Sequence, residues 1–518
     1  MFNPIVGCET SSLRALNVGA ITLICLVAYH ILGHLYNSKL KHAKTETRRT
    51  EYSQNLSETR SSTFQAHSAL NVALFPPLFF FSALYYTDVI STLAVLLSYL
   101  IFVDSRHRQN SLIRSFMTVA AGVLALLFRQ TNVFWVAVFP AGLAVVDVLA
   151  DKQEMTDPVS KDYKTTLKQA WTQGRIYDIP VGDAGPQGMQ SRLACTWDLT
   201  FSRCHHVPHY RRPRRYEETI ANIKGHHAVH DNTGPLRYVC CMEWWRCSWW
   251  GQFSSISEQG LTLLGDKSAH VATVHLPQML YVWPYVIFFS LPLALRPALS
   301  LFVDRLPSRP RAFCLAHLTG DHTRVFPGLI SSGVFILGGL AAVHFNTIVH
   351  PYTLADNRHY VFYVFRILLR HPAMKYLAVP VYWICAFLTI TTLNSPATSK
   401  AQVKQDVKDK RPIRSDIDHG TCKMSFVTIW VVTTTLSVAT APLVEPRYFI
   451  IPWIIWRLHV PYLYGSRNYE SQTTSPYDVR LILETIWLLA INTAVGYNFL
   501  YRSFTWPSEP GNTQRFLW

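Results

Sequence analysis

Residues 329 to 360 hold two texts side by side: "LISSGVFILGGLAAVHF" from 329 to 345, and "HPYTLADNRHY" from 350 to 360. The first has no charged residue and is about as long as a hydrocarbon core is thick when wound as a helix, since roughly 20 residues at 1.5 Å each span it. The second packs an Asp, an Asn, an Arg and two histidines against the end of that helix. Ionisable groups at the edge of a membrane are costly unless they are used, so the second text is a candidate site as soon as the first is read as a span.

The pattern repeats along the chain. Of 518 residues, 49% are hydrophobic and only 15% charged, well below the roughly 25% usual in soluble domains. Comparable windows are "LNVGAITLICLVAYHILGHLY", "ALNVALFPPLFFFSALYY", "VISTLAVLLSYLIFV", "LIRSFMTVAAGVLALLF" and "VFWVAVFPAGLAVVDVLA". Toward the C-terminus follow "LPQMLYVWPYVIFFSLPLAL", "AMKYLAVPVYWICAFLTITTL", "SFVTIWVVTTTLSVATAPLV" and "LILETIWLLAINTAVGYNFLY". An all-α, polytopic membrane protein is expected, because helices satisfy their own backbone in lipid.

Net charge is +16, yet its placement argues against nucleic acid as a partner. The basic residues collect in alternate connections: Lys39, Lys41, Lys44, Arg48 and Arg49; Arg106, Arg108 and Arg114; Arg296, Arg305, Arg309 and Arg311; and the stretch from Lys400 to Lys423. That is the positive-inside pattern, and it assigns those loops to the cytosol. Counting crossings from there puts five clusters on the far face: Asp88; Arg129 with Gln130; Asp266, Lys267 and His270; Asp356, Asn357, Arg358 and His359; and Glu445 with Arg447.

Each has a plainer reading. Asp88 orients an acceptor sugar or caps the helix that it opens. Arg129 binds phosphate or snorkels to the interface. Asp266 and Lys267 contact substrate or pair with each other. Arg358 offers a fork of donors suited to phosphate oxygens, with Asn357 and His359 for sugar hydroxyls, or the group anchors a helix end together with Tyr352, Tyr360 and Tyr363. Arg447 binds phosphate while Glu445 positions it.

The ten cysteines show no metal spacing, and no metal or cofactor is expected. "Asn55-Leu-Ser" falls on the cytosolic side by the same count and is expected to carry no glycan. The organisation expected is membrane helices over 1–150, a cytosolic segment and an anomalous stretch over 151–264, and membrane helices with far-side motifs over 265–518. Counting requires a crossing between the span ending near Ala150 and the one beginning near residue 276, yet no apolar window supplies it. Residues 186–260 instead read "CHHVPHYRRPRRYEE" and "CCMEWWRCSWW", with neither helical nor strand period. Back-translated and shifted by one base, Met242 to Trp250 becomes a Gly-rich text typical of membrane proteins, so an out-of-frame or intron-derived stretch is expected.

Several segments together carry a resemblance: "LFPPLFFFSALYYTD", "FRQTNVFWVAVF", "GDKSAHVATVHLPQMLY", "LADNRHYVFYVFR", "EPRYFIIPWIIWRL" and "FTWPSEPGNTQRFLW". From about Gly7 to Trp518, outside 186–260, the chain resembles the dolichyl-phosphate-glucose α-1,2-glucosyltransferases of the endoplasmic reticulum. The shifted frame also resembles that family's "FVVWNGG" before "GDKS". The resemblance implies a GT-C helix bundle in the endoplasmic reticulum membrane with a lumenal active side. It implies a dolichyl-phosphate-glucose donor and, as acceptor, a diglucosylated dolichol-diphosphate oligosaccharide. Transfer would be inverting, with a 2-hydroxyl attacking the β-linked glucose to give the terminal α-1,2 linkage. Such chemistry needs a carboxylate base and cationic or hydrogen-bonding groups for the departing phosphate. The family's base is implied to lie in a first lumenal loop with an Asp-Glu pair; this chain opens at what reads as the second helix, so that loop is expected to be missing and the catalytic base is unknown. A non-catalytic membrane protein derived from the enzyme is the alternative.

Overall fold

A computed structural model describes residues 10–44, 51–84, 86–106, 112–151, 178, 180–181, 274–300, 306–314, 328–349, 351–394, 422–441, 443–462, 477–507 and 511–518. The apolar windows all become helices. In chain order these are α1 (Thr10–Lys44), α2 (Glu51–Ala73), α3 (Pro76–Ser82), α4 (Thr87–Ser105), α5 (Leu112–Phe128), α6 (Phe139–Asp151), α7 (Gln278–Phe289) and α8 (Leu291–Ser300). Then come α9 (Ser308–Cys314), α10 (Leu329–Asn346), α11 (Pro351–Ala355), α12 (Tyr360–Leu368), α13 (Met374–Thr392), α14 (Met424–Ala439), α15 (Ile450–Leu458) and α16 (Val479–Tyr501). Among the described residues, six helical stretches are long and apolar enough to cross a membrane, and the protein is a multi-pass helical membrane protein.

Proline decides where the continuous text breaks. "LFPPLFFF" splits into α2 and α3 at Phe75, whose ψ of 117° is the extended conformation favoured before proline, and Pro76 then opens α3 where no N–H is needed. A 3₁₀ turn at Gln130–Asn132 and a π turn at Phe134–Val138 likewise interrupt the apolar run between α5 and α6.

Large side chains fill the bundle's centre. Phe75 stacks on Trp453 with ring centroids 3.9 Å apart, and Trp430, Trp453 and Trp456 are all buried. The tryptophan N–H groups find buried acceptors: Trp430 donates to the Pro452 carbonyl and Trp453 to the Ser290 hydroxyl. α10 packs on α13 at Gly339, where an added Cβ would lie 2.9 Å from a Val379 methyl, so the small residue sets the approach of the two helices.

The helix ends sort into two faces, as the charge pattern predicts. At the basic face, Arg106 pairs with Asp147, and Asp178 accepts from the backbone and hydroxyl of Ser425 at 3.0 and 2.7 Å. At the opposite face, Asn17 donates to the carbonyls of Leu84 and Tyr86 at 2.7 and 3.0 Å. The required crossing leaves a trace here. Val181 donates to Cys422 at the start of α14, whereas His275 donates to Ala439 at its end, both at 2.8 Å. A 16-residue helix is about 24 Å long. The two anchors therefore sit at opposite ends of α14, and the stretch expected to be anomalous lies, with the crossing expected of it, outside the described residues.

After α16 the chain forms a hairpin on the face opposite the basic loops, with β1 (Ser503–Thr505) antiparallel to β2 (Thr513–Arg515). Gly511, between the strands, has φ of 101°, which a side chain would oppose.

Candidate functional site

Two polar clusters form on the face opposite the basic loops. The first joins three chain segments far apart in sequence. Asp88 lies in the first turn of α4, behind an N-cap at Tyr86, so it is not the cap that its position suggested. Its side chain is 3% exposed and accepts a 2.8 Å ion pair from Arg129, with the Arg447 guanidinium 4.0 Å away. Among the described residues, Oδ2 of Asp88 has no hydrogen-bond partner. Arg129 is delivered by the break between α5 and the 3₁₀ turn, and Arg447 by the 3₁₀ turn Pro446–Phe449.

Both guanidiniums approach the Tyr448 ring, at 5.4 Å for Arg129 and 5.7 Å for Arg447. Glu445 pairs directly with Arg447. Burial alone would lower the Arg447 pKa, but the Glu445 hydrogen bond and charge, with Tyr448 and Asp88 behind them, raise it above its ordinary value. Tyr448 is pushed up to about 12, first by burial and then by the Glu445 charge. Two cations are thus held side by side and about a quarter exposed, at 20% and 29%. Gln130 follows Arg129 on the exposed side of the turn.

The second cluster gathers "ADNRHY" and the hairpin. Asp356 grips Arg358 at two points, with Nε at 2.9 Å and Nη2 at 2.7 Å, while Nη1 donates to Gln514 at 3.0 Å. The Arg358 guanidinium lies 4.8 Å from the Trp506 ring, and the Trp506 N–H donates to Asn357 at 2.8 Å. His359 Nδ1 meets the Trp518 carbonyl at 2.8 Å and its Nε2 lies 3.6 Å from Asp356. The backbone joins in: Leu517 donates to Arg358 at 2.8 Å and Tyr360 to Leu517 at 3.2 Å. Partial burial would raise the Asp356 carboxyl, but hydrogen bonds from the Arg358 side chain and backbone outweigh it and hold the group below its usual range. The donor fork of Arg358 is thus engaged within the protein.

An aromatic path links the clusters. Trp518 lies 5.2 Å from Tyr360 and 5.6 Å from Phe289, Phe289 lies 4.8 Å from Tyr285, and the Tyr285 hydroxyl donates to the Pro446 carbonyl at 3.0 Å. The structure therefore brings together Asp88, Arg129, Glu445 and Arg447, and separately Asp356, Asn357, Arg358 and His359. Asp266, Lys267 and His270 lie outside the described residues.

Sequence reasoning missed the hairpin's part. Gln514, Trp506 and Trp518 were visible only as pieces of a terminal motif, because their contacts depend on a strand pairing 150 or so residues removed in sequence.

A family model, described as the DIE2/ALG10 family, matches residues 2–458. The chain belongs to the DIE2/ALG10 family. Similar relatives include one from Emericella nidulans, 34% identical over 521 residues covering 88% of this chain and 79% of the relative. One from Gibberella zeae is 31% identical, covering 99% of this chain and 82% of the relative. One from Homo sapiens is 27% identical, covering 88% and 74%. Each of these DIE2/ALG10 relatives is named Dol-P-Glc:Glc(2)Man(9)GlcNAc(2)-PP-Dol alpha-1,2-glucosyltransferase. No solved structure matches the chain.

Proposed function

We propose that this protein is an α-1,2-glucosyltransferase of the endoplasmic reticulum membrane. It moves glucose from dolichyl-phosphate-glucose to the diglucosylated dolichol-diphosphate oligosaccharide, with its active side in the lumen. The names of the DIE2/ALG10 relatives support the donor and acceptor. The observation that carries the reading is the pair of guanidiniums, Arg129 and Arg447, held together by Asp88 beside Tyr448.

The chemistry matches that pair. In the transfer, the anomeric carbon loses its bond to the phosphate oxygen and gains one to the acceptor's 2-hydroxyl oxygen. The donor is a phosphodiester with one negative charge, and the departing dolichyl phosphate gains a further ionisable oxygen; a phosphomonoester carries about −1.5 to −2 at pH 7. Two fixed guanidiniums favour the more charged state, which is the condition for lowering the barrier rather than merely binding the donor. Asp88 and Glu445 neutralise the pair while the site is empty, so the cations need not be reorganised when phosphate arrives. Both carboxylates are committed to guanidiniums, and the proton of the attacking hydroxyl goes to a base that the described residues do not identify.

Expression in cells whose lipid-linked oligosaccharide stops one glucose short tests the reading. The oligosaccharide should shift by one hexose, and an unchanged profile would count against it. Protease mapping tests the orientation separately: sites in 395–421 should be cut from the cytosol and sites near residue 510 only from the lumen.

A further inference from the structure

α7 and the residues just before it run along the segment that leads into Arg447 and grip it repeatedly. The His275 backbone N–H meets Ala439, the Gln278 amide nitrogen donates to the carbonyls of Ala441 and, at 3.3 Å, Leu443, and the Tyr285 hydroxyl donates to Pro446. The register has a simple origin. Gln278 and Tyr285 are seven residues apart, two helical turns or about 10.5 Å along one face. Leu443 and Pro446 are three residues apart, roughly 10 Å when the chain is extended, and Glu445 between them is extended, with φ −131° and ψ 138°. The helix therefore offers two donors at the spacing of the carbonyls that they hold.

The orientation of Gln278 shows what the residue is for. Both of its partners are carbonyl oxygens, so the amide nitrogen must face them. Among the described residues its Oε1 has no partner, although the whole residue is 0% exposed. A buried acceptor left unmade is a standing cost, tolerated where the donor contacts matter. Tyr285 sits in a ring cluster with Phe75, Phe289 and Phe449, so a phenylalanine would pack there equally well, and among the described residues the hydroxyl serves only Pro446.

We propose that Tyr285 and Gln278 are positioning residues for the glucosyl transfer. They hold residues 443–446 in register so that the 3₁₀ turn presents the Arg447 guanidinium to Asp88 and Tyr448, beside Arg129. The inference rests on the reading of Arg129 and Arg447 as the donor-phosphate site.

The test uses the full chain in membranes, assayed with dolichyl-phosphate-glucose and the diglucosylated acceptor. Tyr285→Phe removes one oxygen and keeps the ring. The lost hydrogen bond should raise the donor KM about 3- to 10-fold, leave the acceptor KM unchanged, and add nothing further on an Arg447→Ala background. Gln278→Met, of similar volume, should move the donor KM in the same direction and serves if Tyr285→Phe does not accumulate.

A merely structural role would lower the maximal rate through lost folded protein with both KM values intact, or would add to the Arg447→Ala defect; either result overturns the inference. If Arg447→Ala cripples donor use while Tyr285→Phe and Gln278→Met behave as the parent, the positioning role falls and the donor site stands. If Arg447→Ala itself behaves as the parent, the donor site falls and the positioning role with it.

Discussion

Arg457 and Glu484 face each other through two contacts of 2.6 Å, with side chains only 1% and 0% exposed, in the middle of the bundle. Asn71 donates to the same carboxylate at 2.8 Å, and Ser68 accepts from Arg457 at 3.3 Å, so α2, α15 and α16 meet at one charged knot. Such pairs hold only because each partner is fully matched, and removal of one strands the other. Glu484→Ala should cost about 3–5 kcal/mol of stability. The double variant Arg457→Met with Glu484→Leu should recover most of that loss. Thermal unfolding in detergent checks both, and a double variant no better than the single one would show that the knot is not an isolated pair.

The two guanidiniums at the proposed donor site should respond differently to charge and to shape. Arg129→Ala or Arg447→Ala should reduce kcat/KM for the donor by about 100-fold, the scale seen when one preorganised donor is removed from a site of developing charge. Arg447→Lys keeps the charge but loses the planar fork that meets both Glu445 and Asp88, and about a tenfold loss is expected. Steady-state kinetics with varied donor measure both. Equal effects of Lys and Ala would mean that charge alone contributes nothing.

Acid should loosen the second cluster. The Asp356 pKa is held below its unfolded value, so the Asp356–Arg358 contact stabilises the fold fully above the unfolded value of about 3.9 and is lost as pH falls through the lower folded one. Protease release of the hairpin should therefore rise only at strongly acidic pH. Asp356→Asn should make release less dependent on pH in that range and faster at neutrality.

Two neighbouring glycines of α10 should behave in opposite ways. Gly339→Val drives its side chain into Val379 and should destabilise by about 1–3 kcal/mol. Gly338 has open space around its Cβ position, so Gly338→Ala should be neutral or stabilise slightly, by about 0.5–1 kcal/mol for a helix interior. Melting temperatures of the two variants, compared side by side, decide this.

Much of this architecture is written in hydropathy and charge. Spans need about 20 apolar residues and cytosolic loops attract Lys and Arg, and both signals are local, so "LISSGVFILGGLAAVHF" and the far-face position of Arg129 and Arg447 could be read directly. What local text does not hold is which polar group meets which. Arg358 reads as a free donor fork in sequence, yet Asp356 two residues away and Gln514 at a distance of 156 residues occupy it. The Arg457–Glu484 pair is hidden for another reason. "IIPWIIWRL" and "LILETIWLL" each show one charge in an apolar run, and only packing reveals that the two charges answer each other. Gln278 and Tyr285 are invisible for the same cause, since their partners are backbone carbonyls, which carry no sequence signature.

The tail that closes on Arg358 and His359 is the last stretch of this sequence to emerge from the ribosome. During synthesis "ADNRHY" therefore waits without these partners while α13 to α16 are made, and it reaches its final form only when Phe516 to Trp518 arrive. A molecule interrupted anywhere in that interval carries most of its helices but leaves the contacts of Arg358, His359 and Tyr360 with the tail unmade.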